Sequence, residues 1–116
     1  MAISVYHVSS SLNRESIRER GLDWRRMGAA PGIAGSREPE AEGCFLALGE
    51  YECRLFVHMN NTGGPVDVWR VEDVDPEDLI TSRQGYSLYE GVIDPDRITL
   101  IQARICSGEE FIPDCT

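Results

Sequence analysis

Ile3-Ser4-Val5-Tyr6-His7-Val8, followed at once by Ser9-Ser10-Ser11, decides how this chain is read. β-branched residues at 3, 5 and 8 with polar residues between them predict a strand, because successive side chains point to opposite faces. His7 alone is accounted for as a structural histidine. Its place near the strand's end, with Ser9 and Ser10 behind it, also offers an imidazole and hydroxyls to the hydroxyls of a ribose.

Working outward, Leu12 to Leu22 predicts a short helix. Asn13 or a preceding serine can cap its start by accepting an orphan N–H. Gly21 fits the left-handed position past its end, with Leu22 folding back onto Ile17. Residues 23–42 are rich in Gly, Pro and charge and show neither helical nor strand period, so a long loop is expected, of the kind that is often functional. A short buried strand follows in Gly43-Cys44-Phe45-Leu46-Ala47-Leu48. Residues 49–60 predict a helix with Tyr51, Leu55 and Met59 on one stripe and Phe56 beside it. In that setting His58 reads as partly buried and structural.

Asn60 to Pro65 is a turn. Val66 to Val71 alternates and predicts a strand, with Asp67, Trp69 and Val71 on one face and Val66, Val68 and Arg70 on the other. Asp73 to Asp78 is an acidic turn around Pro76, and Leu79-Ile80-Thr81 continues the sheet. A second loop spans Ser82 to Leu88. Glu90 to Ile93 and Arg97 to Ala103 are read as strands joined through Asp94-Pro95-Asp96, and Cys106 to Thr116 as a peripheral tail. Several short strands and two early helices specify an α+β class with mostly antiparallel pairing.

At 116 residues the chain is read as one domain, 1–116. Its 20 acidic against 11 basic residues give a net charge of −9. Such a balance disfavours polyanions as equilibrium partners, because phosphate binding draws on an excess of Lys and Arg. The early arginines, Arg14, Arg18, Arg20, Arg25 and Arg26, read as a solvated surface offset by Glu15 and Glu19. No apolar run approaches the roughly 18 residues of a membrane span, and no targeting segment is visible, so no membrane partner and a cytoplasmic location are expected. Cys44, Cys53, Cys106 and Cys115 form no C-x-x-C pair. No metal site is expected; the four read as thiols in a reducing compartment, with a Cys106–Cys115 bridge as the alternative in an exported protein. The phosphate-binding P-loop, the dinucleotide glycine fingerprint, the H-E-x-x-H zinc motif and the G-x-S-x-G elbow are all missing.

Three residues on three predicted strands remain. His7 brings an imidazole and Phe45 a flat apolar face for a base or nicotinamide, a contact worth about 0.5–1.5 kcal/mol beyond burial when both rings are aromatic. Glu90 brings a carboxylate able to hold a sugar hydroxyl and favour positive charge at an anomeric carbon. Each alone also fits a structural role.

Together they form a pattern. Val5-Tyr6-His7-Val8-Ser9-Ser10, with Ser16-Ile17 and Gly21-Leu22, resembles the opening of the ADP-ribosyltransferase superfamily and its relatives among RNA 2′-phosphotransferases and small bacterial ADP-ribosyltransferases. Gly43-Cys44-Phe45-Leu46-Ala47 is similar to their second motif, where an aromatic residue, usually tyrosine, packs on nicotinamide. Tyr89 to Ile98 is similar to their third, a glutamate followed by an Ile-x-Pro-x-x-Ile strand pair. The resemblance covers most of residues 3–103. It implies two small sheets forming a central NAD-binding cleft. NAD would be the substrate, and an acceptor of unspecified class (protein, nucleic acid or small molecule) would receive ADP-ribose as nicotinamide leaves. His7 would bind the adenosine-side ribose with Ser9 beside it, Phe45 would stack on nicotinamide, and Glu90 would hold the nicotinamide ribose and steady an oxocarbenium-like transition state. Arg25 or Arg26 would meet the diphosphate, and the segment with Tyr86 and Tyr89 would choose the substrate. Phenylalanine at 45 keeps the stacking face and loses the hydroxyl. The arginine set of the phosphotransferase branch has no counterpart here, so 2′-phosphotransfer ranks below ADP-ribosyl transfer. NAD hydrolysis and a non-catalytic binding relative remain as alternatives.

Overall fold

The computed structural model describes residues 2–23, 25, 43–60, 62, 64–81 and 85–106. The expected strand at the N-terminus runs longer than its apolar core, as β1, Ile3–Ser10. A single 3₁₀ turn at Ser11–Asn13 leads into α1, Arg14–Arg20. The cap at this entry is made by Ser10, whose hydroxyl accepts from the Leu12 N–H at 3.2 Å, while Asn13 makes no side-chain cap bond. Next come β2, Cys44–Leu46; α2, Glu50–Met59; β3, Val66–Val74; β4, Leu79–Thr81; β5, Ser87–Tyr89; and β6, Ile98–Ile105.

The strands form two three-stranded antiparallel sheets, ordered β1-β3-β6 and β2-β5-β4. With the two short helices this is an α+β fold, as the strand and helix patterning requires. Alternation along β1 and β3 buries both faces of the first sheet. Val5, Trp69 and Val71 face Ile17 and Leu22 of the α1 segment and Cys44 and Leu46 of the second sheet. Val8, Val66 and Val68 face Cys53, Phe56 and Val57 of α2. Each fully buried aliphatic side chain contributes about 1.5–3 kcal/mol to this double-sided core.

Three local expectations are corrected. The buried stripe of α2 is Cys53-Phe56-Val57, whereas Tyr51 is 82% exposed. Both stripes obey the helical period, and the one selected is the one that meets Val8, Val66 and Val68. That rotation leaves His58 exposed rather than partly buried. The strand expected at Glu90–Ile93 lies earlier, at Ser87–Tyr89, because Leu88 is the residue that pairs with Phe45. Ile93 instead makes an isolated antiparallel bridge with Leu22, through N–H···O bonds of 2.9 and 3.0 Å.

Gly21 makes that bridge possible. Its φ is +76° as expected, but its ψ of −158° is extended rather than left-handed helical, which turns the chain straight into Leu22. A β-carbon there would lie 1.9 Å from the Ile93 carbonyl oxygen.

Candidate functional site

The two sheets touch edge to edge. The Tyr6 N–H donates to the Ala47 carbonyl at 2.9 Å, and the Ala47 N–H donates back to Tyr6 at 2.8 Å. Were β1 and β2 to continue as an antiparallel pair, the next mutually bonded residues would be Val8 and Phe45. The bridge is isolated, however, and the Phe45 carbonyl accepts from the imidazole Nδ1 of His7 at 3.0 Å. The side chain of His7 thus spans the place where the edges of the two sheets part.

This bond fixes the chemistry of the ring. A carbonyl oxygen only accepts, so Nδ1 carries the proton. Burial pushes the His7 pKa down, and the hydrogen bond to Phe45, which opposes that shift, does not cancel it. A neutral ring protonated on Nδ1 presents a lone pair at Nε2. Among the described residues Nε2 has no hydrogen-bond partner. It is an acceptor suited to an O–H donor such as a sugar hydroxyl.

Register brings further polar groups to the same face. His7 pairs with Trp69 and Ser9 with Asp67, and directly paired residues share a face of the sheet. Ser9 Oγ and Trp69 Nε1 are both buried with no partner among the described residues. Asp67 is the contrast. Its carboxylate accepts from Ser11 Oγ at 2.6 Å, from Arg14 Nε and Nη2 at 2.7 and 2.9 Å, and from the Arg104 N–H at 3.0 Å. Burial pushes its pKa up, but the bonds from Arg14, Ser11 and Arg104 outweigh that and hold it below the usual carboxylate range. Asp67 is a saturated anchor for α1 and for the bulge in β6 where Arg104 takes a φ of +56°. Ser10, placed beside Ser9 in the sequence reading, is spent on its cap.

Phe45 lies between Cys44 and Leu46, both of which enter the core, so its ring sits on the opposite face of β2 beside its partner Leu88. Its tie to His7 runs through the carbonyl, not the ring. Glu90 follows Tyr89, which pairs with Cys44, and is exposed just past the end of β5. A β-carbon on Gly43 would come within 2.6 Å of the Tyr89 carbonyl, so the chains are closely apposed just before Glu90.

The other expected positions make contacts of their own or lie beyond the described residues. Arg25 is exposed and ion-paired with Asp23 at 3.2 Å; Arg26 lies outside the described residues, as do most of the loop at 23–42 and Cys115. Tyr86 packs edge-on against Phe56 of α2 with ring centroids 4.9 Å apart, and Tyr89 rests half-buried on the first core cluster. Cys44, Cys53 and Cys106 are not in disulfides; burial pushes the Cys53 thiol up to about 12, leaving it inert. Among the described residues, no three His, Cys, Asp or Glu side chains gather to hold a metal ion, and no helix is long and apolar enough to cross a membrane.

The sequence pattern marks Asp67 and Trp69 only as members of a strand. An aspartate between two valines is itself a signal, since a charge on a buried strand requires partners. No protein-family model, curated protein or solved structure matches this chain.

Proposed function

We propose that this chain is an NAD-dependent mono-ADP-ribosyltransferase, moving ADP-ribose from NAD to an acceptor and releasing nicotinamide. The observation that carries the reading is the His7 imidazole, held neutral by burial at the parting of two sheet edges, with Nε2 left without a hydrogen-bond partner among the described residues. In this reading a hydroxyl of the adenosine-side ribose donates to Nε2, and Ser9 lies on the same face to bond its neighbour. The ring of Phe45 supplies a stacking face for nicotinamide. The Glu90 carboxylate accepts from the 2′-hydroxyl of the nicotinamide ribose. As the glycosidic C–N bond breaks, its electron pair leaves with nicotinamide, and the carboxylate offsets the positive charge growing on the sugar. The acceptor then donates an electron pair to the anomeric carbon and loses a proton.

A second reading, a nucleotide-binding protein without turnover, draws on two observations. Glu90 is exposed past the end of its strand, and position 45 lacks the hydroxyl of the family's usual tyrosine. One experiment separates the two. Incubated with NAD and a panel of protein, nucleic-acid and small-molecule acceptors, the protein releases nicotinamide, and Glu90→Gln lowers the rate by about 10²–10³-fold, the scale of losing one transition-state electrostatic contact. A rise in melting temperature with NAD but no nicotinamide selects the binder, since a ligand of the native state stabilises it. Neither release nor stabilisation sinks both.

A further inference from the structure

Trp69 is the least expected member of the His7 face. It is 2% exposed, paired in register with His7, and belongs to the core cluster that holds Val5, Val71 and Leu46. Its indole N–H is nevertheless buried without an acceptor among the described residues. An indole nitrogen only donates, and a buried donor left unbonded costs free energy that phenylalanine would avoid. Two residues from His7 on β1, Ser9 Oγ is in the same condition. The face therefore holds three kinds of group: an acceptor at His7 Nε2, a donor at Trp69 Nε1, and a hydroxyl at Ser9 that does either. Asp67, the remaining polar side chain of the paired positions, is saturated and takes no part.

A vicinal diol matches this set. One hydroxyl donates to an acceptor while its own oxygen, or its neighbour's, accepts from a donor. A deoxyribose loses one of the two hydroxyls together with the contact that hydroxyl makes to this face, and a site built to hydrogen-bond a hydroxyl rejects the analogue that lacks it. We infer that Trp69 is a specificity-determining residue of the site, its indole N–H donating to a ribose hydroxyl oxygen while His7 Nε2 accepts from the same diol. The inference rests on the NAD reading above and adds to it a residue and a discrimination between ribose and deoxyribose.

The test uses NAD and its analogues lacking the 2′- or the 3′-hydroxyl of the adenosine ribose, with affinities measured by calorimetry. The wild-type protein prefers NAD to both. Trp69→Phe, which keeps an aromatic ring in the core, weakens NAD binding roughly five- to tenfold, the scale of one hydrogen bond, and narrows the preference over one analogue. A second readout needs no substitution at this site. The indole N–H resonance of Trp69, assigned by its persistence in Trp24→Phe, moves downfield and exchanges more slowly on saturation with NAD. NAD binding with this resonance unmoved, or Trp69→Phe with wild-type affinity and discrimination, overturns the role of Trp69 alone. A wild-type protein that binds no NAD removes the nucleotide reading and this inference together.

Discussion

Asp67 is a buried charge made tolerable by its partners. A carboxylate stripped of water is costly, and here Arg14, Ser11 and a strained backbone N–H at Arg104 replace the lost solvation. Because the folded pKa lies below the unfolded value, its contribution is complete above the unfolded pKa near 3.8 and is lost as pH falls through the folded value. Asp67→Asn keeps the shape but removes the charge to which all four of these bonds are made and turns one acceptor oxygen into an NH₂ donor. It should cost roughly 1.5–3 kcal/mol, the range of charge-assisted hydrogen bonds, seen as a lower urea midpoint at neutral pH. The same variant should lose the wild type's added sensitivity to acid below pH 4. A midpoint unchanged at pH 7 would mean that the network is decorative.

At the scale of elements, the α1–β2 side of the molecule depends on the turn at Gly21. Position 21 needs a positive φ and tolerates no β-carbon against Ile93. Gly21→Ala adds backbone strain to a collision and should destabilise the protein by about 2–3 kcal/mol. Hydrogen exchange should locate the damage, with the Leu22 and Ile93 amides losing protection before those of β3. The glycine and the helix before it were legible because both are local, a stop signal and a 3.6-residue stripe within eleven positions. So was β3, whose alternation sorted Asp67, Trp69 and Val71 onto one face. The phase of α2 was not, since its apolar residues line two overlapping stripes and only the sheet beneath chooses between them. Nor was the start of β5, because Leu88 gains its strand from pairing with Phe45, 43 positions away in the chain. The candidate site divides in the same way. His7, Phe45 and Glu90 stood out as residue types on strands, but the bond from His7 to a carbonyl and the unmatched indole of Trp69 are products of tertiary register that no spacing encodes.

For the whole molecule, the buried imidazole where the two sheets meet links stability to pH. Its second proton goes to Nε2 and puts a charge in a buried place, while the Nδ1–H bond to Phe45 stays. The Tyr6–Ala47 bridge and the His7–Phe45 bond both join the edges of the sheets, over a core that Cys44 and Leu46 share with Val5 and Val71. Burial lowers the folded pKa of His7 below its ordinary value of 6.5, so the unfolded chain takes up a proton before the folded one does. Stability is therefore full above pH 6.5, falls as pH drops from there through the folded pKa, and levels once both states are protonated. Net charge works the other way over this range. With 20 acidic against 11 basic residues, mild acid relieves repulsion and on its own would stabilise the fold. A decline in the urea midpoint from pH 7.5 to pH 5 is thus expected from His7 in spite of the charge, not because of it. His7→Asn separates the two effects, because its amide can still donate toward Phe45 but does not titrate. That variant should show a flat or rising midpoint over the same range. NAD affinity should follow the wild-type decline, since a protonated Nε2 becomes a donor and no longer accepts from a hydroxyl. An equally steep decline in His7→Asn would place the acid sensitivity elsewhere in the fold and detach it from the parting of the sheets.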